Sequence, residues 1–199
     1  MSVTATRDLV LLMLDISPLK MTDKEFYEFC QCNEDFRFEI DGRGNLIVIS
    51  PGCLEASKRN SEINFQLRLW AEKGKIGLAF ECRGMFTLPN GARRSPDAFW
   101  ILKDRYYALS KEEREERFAR IVPDFVIELR SKSDNLRKLQ NKMGEYIENG
   151  VRLGWLIDPY ERRVHIYRAD ESVEVLENPQ KISGEDVLPG FELDLTEIW

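Results

Sequence analysis

With 199 residues and 23.3 kDa, the chain is long enough for one core that buries roughly 70% of its unfolded surface, so no disulfide or structural metal is required. Hydrophobic residues make up 43% and charged residues 32%, a balance that excludes both disorder and a membrane-spanning protein. The net charge of −6 does not advertise nucleic-acid binding as a strongly basic domain would.

The chain reads as a single domain over residues 1–199, with an N-terminal leader over 1–20. Its aliphatic run at 9–14 falls far short of the ~20 residues of a bilayer span. Asp8 beside Arg7, with no small-residue cleavage pattern following, makes it a poor signal peptide. The expectation is a cytoplasmic protein. Cys30, Cys32, Cys53 and Cys82 agree, since their spacing fits neither a disulfide framework nor a zinc site.

After Ser17-Pro18, Thr22-x-x-Glu25 is a capping box that opens a short helix to about Cys32. Residues 36–41 and 46–49 flank Gly42-Arg43-Gly44-Asn45 and read as a β-hairpin. A helix over 57–73 carries Ile63, Leu67 and Trp70 at helical spacing, with Phe65 and Leu69 widening the stripe. Strands are predicted at 76–81, 84–88, 97–102 and 124–130, with an exposed charged helix over 111–117. A second strong helix over 135–149 is closed by Gly150. Strands at 153–157, 162–167 and 172–176 complete an α/β or α+β domain with a mixed central β-sheet flanked by helices.

Several charged residues look misplaced. Alternation puts Asp124, Val126, Glu128 and Arg130 on one face of a strand whose other face, Phe125, Ile127 and Leu129, is core. Asp97 begins another apolar strand just after Pro96. Glu62 shares a helix face with Phe65 and Leu69, and Lys142 shares one with Leu139 and Tyr146. Buried carboxylates are expensive unless something positive compensates. Glu62, Asp97 and Glu128 converging with Lys142 on one cleft would suit one or two hard divalent cations, Mg²⁺ or Mn²⁺, and an activated water.

Those are the parts that phosphodiester hydrolysis needs: charge neutralisation, a hydroxide-like nucleophile and a stabilised leaving oxygen. Arginine cannot lose a proton at useful pH, so Arg130 would grip phosphate or form a salt bridge to Asp124 or Glu128, and Lys142 would position or deprotonate the water. Arg93 and Arg94 are candidate phosphate contacts, or decoration of a turn. His165, the one histidine, alternates with Val164 and Ile166 and is not read as a base. From Arg130 to Lys142 five basic residues face only Asp134, so a phosphate-bearing partner could be drawn there.

Pro96-Asp97 followed by Glu128-Leu129-Arg130 resembles the PD-(D/E)XK nuclease superfamily. More specifically, the chain is similar to the Uma-type restriction-endonuclease-like family of bacterial proteins, often labelled only as a domain of unknown function. That resemblance is carried by Met21-Thr-Asp-Lys-Glu-Phe-Tyr-Glu-Phe29, Arg59-Asn-Ser-Glu-Ile63, Leu88-Pro-Asn-Gly-Ala-Arg-Arg-Ser-Pro-Asp97, Pro123-Asp-Phe-Val-Ile-Glu-Leu129, Leu153-Gly-Trp-Leu-Ile-Asp158 and Gly184-Glu-Asp-Val-Leu-Pro-Gly190. It implies a restriction-endonuclease-like core and metal binding by Asp97 and Glu128, helped by the Leu129 carbonyl, with Glu62 as the acid of the first core helix. Arg130 departs from the pattern by standing where the superfamily has lysine, and Lys142-x-x-x-Tyr146 on the facing helix is the replacement.

The function expected is a Mg²⁺-dependent endonuclease acting on duplex DNA, with homodimerisation left open because two symmetric sites suit two strands. The alternative is an inactive nucleic-acid-binding or assembly module that keeps the fold.

Overall fold

A computed structural model describes residues 13–199. Most of the predicted leader, residues 1–12, lies outside the described residues. The rest of it includes strand β1 (Met13–Asp15) and a 3₁₀ turn (Ser17–Leu19). Helix α1 (Asp23–Cys32) starts at the expected capping box: the Thr22 hydroxyl accepts from the Glu25 N–H at 3.2 Å, and the Glu25 carboxylate accepts from the Thr22 N–H at 2.7 Å.

The hairpin follows as β2 (Arg37–Ile40) and β3 (Asn45–Ile49), antiparallel with Ile40 opposite Leu46. The Asp41 carboxylate accepts from the N–H groups of Arg43 and Asn45, and Gly44 supplies the positive φ of 85° that the turn needs. Helix α2 (Leu54–Gly74) begins three residues earlier than its apolar pattern suggested.

Next come β4 (Gly77–Glu81), β5 (Phe86–Thr87), β6 (Arg93–Arg94), β7 (Ala98–Leu102), short helices α3 (Lys103–Tyr107) and α4 (Lys111–Glu115), and β8 (Phe125–Leu129). Helix α5 (Leu136–Glu148) is capped by the Asn135 side chain and ends before Gly150 at φ 101°. The chain then runs through β9 (Leu153–Asp158), β10 (Arg163–Arg168), β11 (Val173–Glu177), β12 (Lys181–Ser183) and β13 (Glu192–Asp194).

The large sheet has the order β11-β10-β9-β8-β7-β4 and is mixed, as expected: β8 and β9 are parallel, joined through α5, and its other neighbours are antiparallel. A second, five-stranded sheet, β1-β3-β2-β6-β5, carries the hairpin, and β12 pairs with β13. Alternation along β7, β8 and β9 feeds a core on each side of the large sheet. Trp100, Phe125, Ile127 and Trp155 pack with Ile63 and Leu67 of α2 and with Phe191, Leu195 and Ile198. Phe99, Val126 and Leu156 pack with Met143, Tyr146 and Ile147 of α5. Each fully buried residue such as Leu67 stabilises the fold by roughly 1.5–3 kcal/mol.

At Gly77, on the edge strand β4, a Cβ would fall within the indole of the fully buried Trp100. Gly77→Ala is expected to cost about 1–3 kcal/mol through overpacking. The urea midpoint should fall with an unchanged slope. Among the described residues no helix is long and apolar enough to cross a membrane.

Candidate active site

Strand pairing explains how the two acids meet. Ala98 lies opposite Ile127 in the antiparallel pair β7–β8, so Asp97, just before β7, comes beside Glu128 near the end of β8. One Asp97 oxygen accepts from the Leu129 N–H at 2.8 Å, and the other accepts from the Asn60 amide of α2 at 3.1 Å. Asn64, one turn further along α2, donates to the Asp97 carbonyl at 3.1 Å.

From the other side, α5 presents Lys142 and Tyr146 at i and i+4. The Lys142 ammonium stands 2.7 Å from Glu128 Oε1, and the Tyr146 hydroxyl donates to that oxygen at 2.9 Å. The same ammonium donates to Glu39 of β2 at 3.0 Å. Glu39 also accepts from the Ser95 N–H and from Arg94, each at 3.0 Å, and Arg94 Nε donates to Glu145 at 2.6 Å. Two sheets and two helices therefore meet in one charged network.

Burial pushes the Glu128 carboxyl up to about 7, against the pull of Lys142 and with help from the negative charges of Asp97 and Glu39. Burial also raises Asp97, which the Leu129 N–H and, more distantly, Lys142 offset only in part. Burial would raise Glu39 too, but Lys142 and then Arg94 hold it below the usual glutamate value. Lys142 is raised: burial disfavours its charge, and Glu128 and Glu39 outweigh that. It is thus an ammonium, not a ready base.

Among the described residues no three His, Cys, Asp or Glu side chains form a ready metal cage. The donor set nevertheless fits a hard divalent cation, because Mg²⁺ commonly takes one or two carboxylates and completes its shell with water and substrate oxygens. Lys142 is committed to Glu39 and Glu128, and Arg94 to Glu39 and Glu145, so the direct partners of Asp97 are neutral donors. The site is short of positive charge where a cation would sit.

The structure brings Asp97, Glu128 and Lys142 together, but not the other predicted site residues. Glu62 accepts from Gln66, which bonds the Asp194 backbone, and makes no hydrogen bond or ion pair with Asp97, Glu128 or Lys142. The stripe it shares with Phe65 and Leu69 faces solvent, at 61% and 44% exposure, whereas Ile63 and Leu67 are the buried pair of α2. The α2 side chain at Asp97 is Asn60. Arg93 is buried against Asp23 and the Met21 carbonyl, so it is a structural ion pair and not a free phosphate contact. Arg94 is likewise buried, between Glu39 and Glu145. Arg130 pairs at 2.6 Å with Asp158, not with Asp124 or Glu128; Asp124 pairs instead with Arg105. Glu39 was missed, although an acid between Phe38 and Ile40 in an apolar strand carries the same signal that marked Glu128.

The Glu128 shift has a measurable consequence. Its native carboxyl holds a proton more tightly than the unfolded chain, so its contribution to stability is complete below pH ~4.5 and is lost as pH rises towards about 7. The amount is up to about 3 kcal/mol. In EDTA, Glu128→Gln is expected to gain stability relative to wild type between about pH 5 and about pH 8 by urea unfolding. An equal difference at both pH values would contradict this.

A family model described as "Uma2: Putative restriction endonuclease" matches residues 23–196. Among solved structures, a protein from Anabaena variabilis described as "a putative nuclease belonging to DUF820" is similar with a TM-score of 0.73 and 23% identity, over 89% of this chain and 97% of that one. At that identity the likeness establishes the shared fold. No curated protein matches.

Proposed function

The chain belongs to the Uma2 family of restriction-endonuclease-like proteins, and from that premise we propose that it is a divalent-metal-dependent endonuclease that hydrolyses phosphodiester bonds in DNA. One observation carries the proposal: Asp97 and Glu128 stand side by side at the ends of adjacent strands, with the Lys142 ammonium on Glu128 and only neutral donors touching Asp97. Asp97 and Glu128 would hold the ion, and Mg²⁺ or Mn²⁺ there would supply a Lewis acid for the phosphoryl group and a water of lowered pKa.

The chain's own residues do the positioning. Asn60 and the Leu129 N–H fix the Asp97 carboxylate, and Tyr146 and Lys142 fix Glu128. Lys142, held as an ammonium, orients the attacking water and offsets charge on the phosphoryl oxygens; it is not the group that removes the proton.

Incubation of the purified protein with supercoiled plasmid and Mg²⁺ or Mn²⁺ tests the proposal. Nicked or linear product that EDTA abolishes is expected, and intact DNA under all conditions would count against it. A second reading, DNA binding without turnover, draws support from the tethering of Lys142 between two carboxylates. It predicts a retarded but uncut duplex.

A further inference from the structure

Building on the nuclease reading, we propose that the β8–α5 loop and the first turn of α5 form the surface that receives the sugar–phosphate backbone of duplex DNA, with Lys132, Arg137 and Lys138 as phosphate contacts. All three are exposed, and none forms an ion pair with any described residue. The one acid in the segment, Asp134, is turned onto its own loop, accepting from the Ser131 N–H at 2.7 Å. In a chain of net charge −6, this is a local excess of cations where the sheet delivers Glu128 and Leu129.

Position links the patch to the buried site. Lys138 lies four residues before Lys142, one turn and about 6 Å along the helix on the same face. The exposed cations thus lead from solvent to the ammonium on Glu128. The neighbouring guanidinium groups of Arg59 and Arg130, each 5.9 Å from the half-exposed ring of Tyr160, are by contrast already matched by acids, Arg130 by Asp158 at 2.6 Å and Arg59 by Glu55 at 3.5 Å.

The helix itself argues that these cations are kept for a partner. The first turn of α5 has no acid and carries Arg137 and Lys138, so two positive side chains sit at the positive end of the helix dipole, where an acid would be stabilising. An anion lying across that end reverses the sign of the interaction. Backbone phosphates would do so without reading sequence.

The test compares the wild-type chain with Lys132→Glu/Arg137→Glu/Lys138→Glu, using a labelled DNA duplex of about 30 base pairs in EDTA over a range of salt concentrations. Each lost contact should reduce the slope of log K against log salt by about 0.9, and affinity at low salt should fall by at least about tenfold. The variant should melt no lower than wild type and show the same Mn²⁺-dependent thermal shift. Equal affinity and slope for both proteins would overturn this surface while leaving the nuclease reading standing. No duplex binding by the wild type would overturn the surface outright, and the plasmid assay then decides the nuclease reading separately.

Discussion

Asp97→Asn is expected to abolish DNA cleavage, by at least about a thousand-fold or roughly 4 kcal/mol of transition-state stabilisation, and to leave the fold as stable as wild type or more so. The geometry separates these effects. The new amide oxygen can still accept the Leu129 N–H that Asp97 accepts at 2.8 Å. Its N–H can meet Asn60, whose buried Oδ1 has no partner, if the Asn60 amide turns over. What is lost is a half-buried negative charge with no cation in contact with it, whose carboxyl desolvation has raised; that charge is a cost to the fold and, on this account, the grip on the ion. Plasmid cleavage and urea unfolding of the same preparation check the pair of outcomes. Retained cleavage would remove Asp97 from the mechanism.

Arg94→Met is expected to destabilise the protein by about 3–5 kcal/mol, the largest stability loss anticipated for a single side chain here. Arg94 is 5% exposed and bridges Glu39 and Glu145, which join the second sheet to α5. Methionine fills much of the volume but leaves Glu39, itself 2% exposed, with Lys142 and the Ser95 N–H alone. For a chain of this size the melting temperature should fall by roughly 10 °C or more. Glu39 is held below the usual glutamate range partly by Arg94, so its stabilisation is present at neutral pH and lost on acidification. The difference between variant and wild type should therefore shrink as the pH is lowered. A melting temperature within a degree or two of wild type would show that the ion pair is dispensable.

Much of the large sheet is legible in the sequence because its strands are long enough to alternate and its helices carry their own caps. Thr22-x-x-Glu25, Asn135 and Gly150 each act within a few residues, so their effect can be read locally. Strand β5 lies inside the strand expected at 84–88 but keeps only two residues of it, whereas β6, at two residues, and β12 and β13, at three, are too short to show a period.

Asp97 and Glu128 stood out because acids interrupt apolar strands, and Lys142 because it borders the stripe of Leu139 and Tyr146. Glu62 misled because α2 has two stripes of apolar residues, and only packing decides that Ile63 and Leu67, not Phe65 and Leu69, face the sheet. Glu39 reaches Lys142 across 103 residues of sequence. Nothing in the hairpin itself reveals that its acid folds over a different sheet. The roles of Arg93 and Arg94 escaped for the same reason, since their partners, Asp23, Glu39 and Glu145, lie 51 to 70 residues away.

The most direct measurement is anomalous diffraction from crystals of the full chain soaked in Mn²⁺. A peak within about 2.0–2.4 Å of a carboxylate oxygen of both Asp97 and Glu128, and absent after Asp97→Asn, is the predicted result. Mn²⁺ bound elsewhere, or no peak between these two side chains at saturating metal, would contradict the assignment.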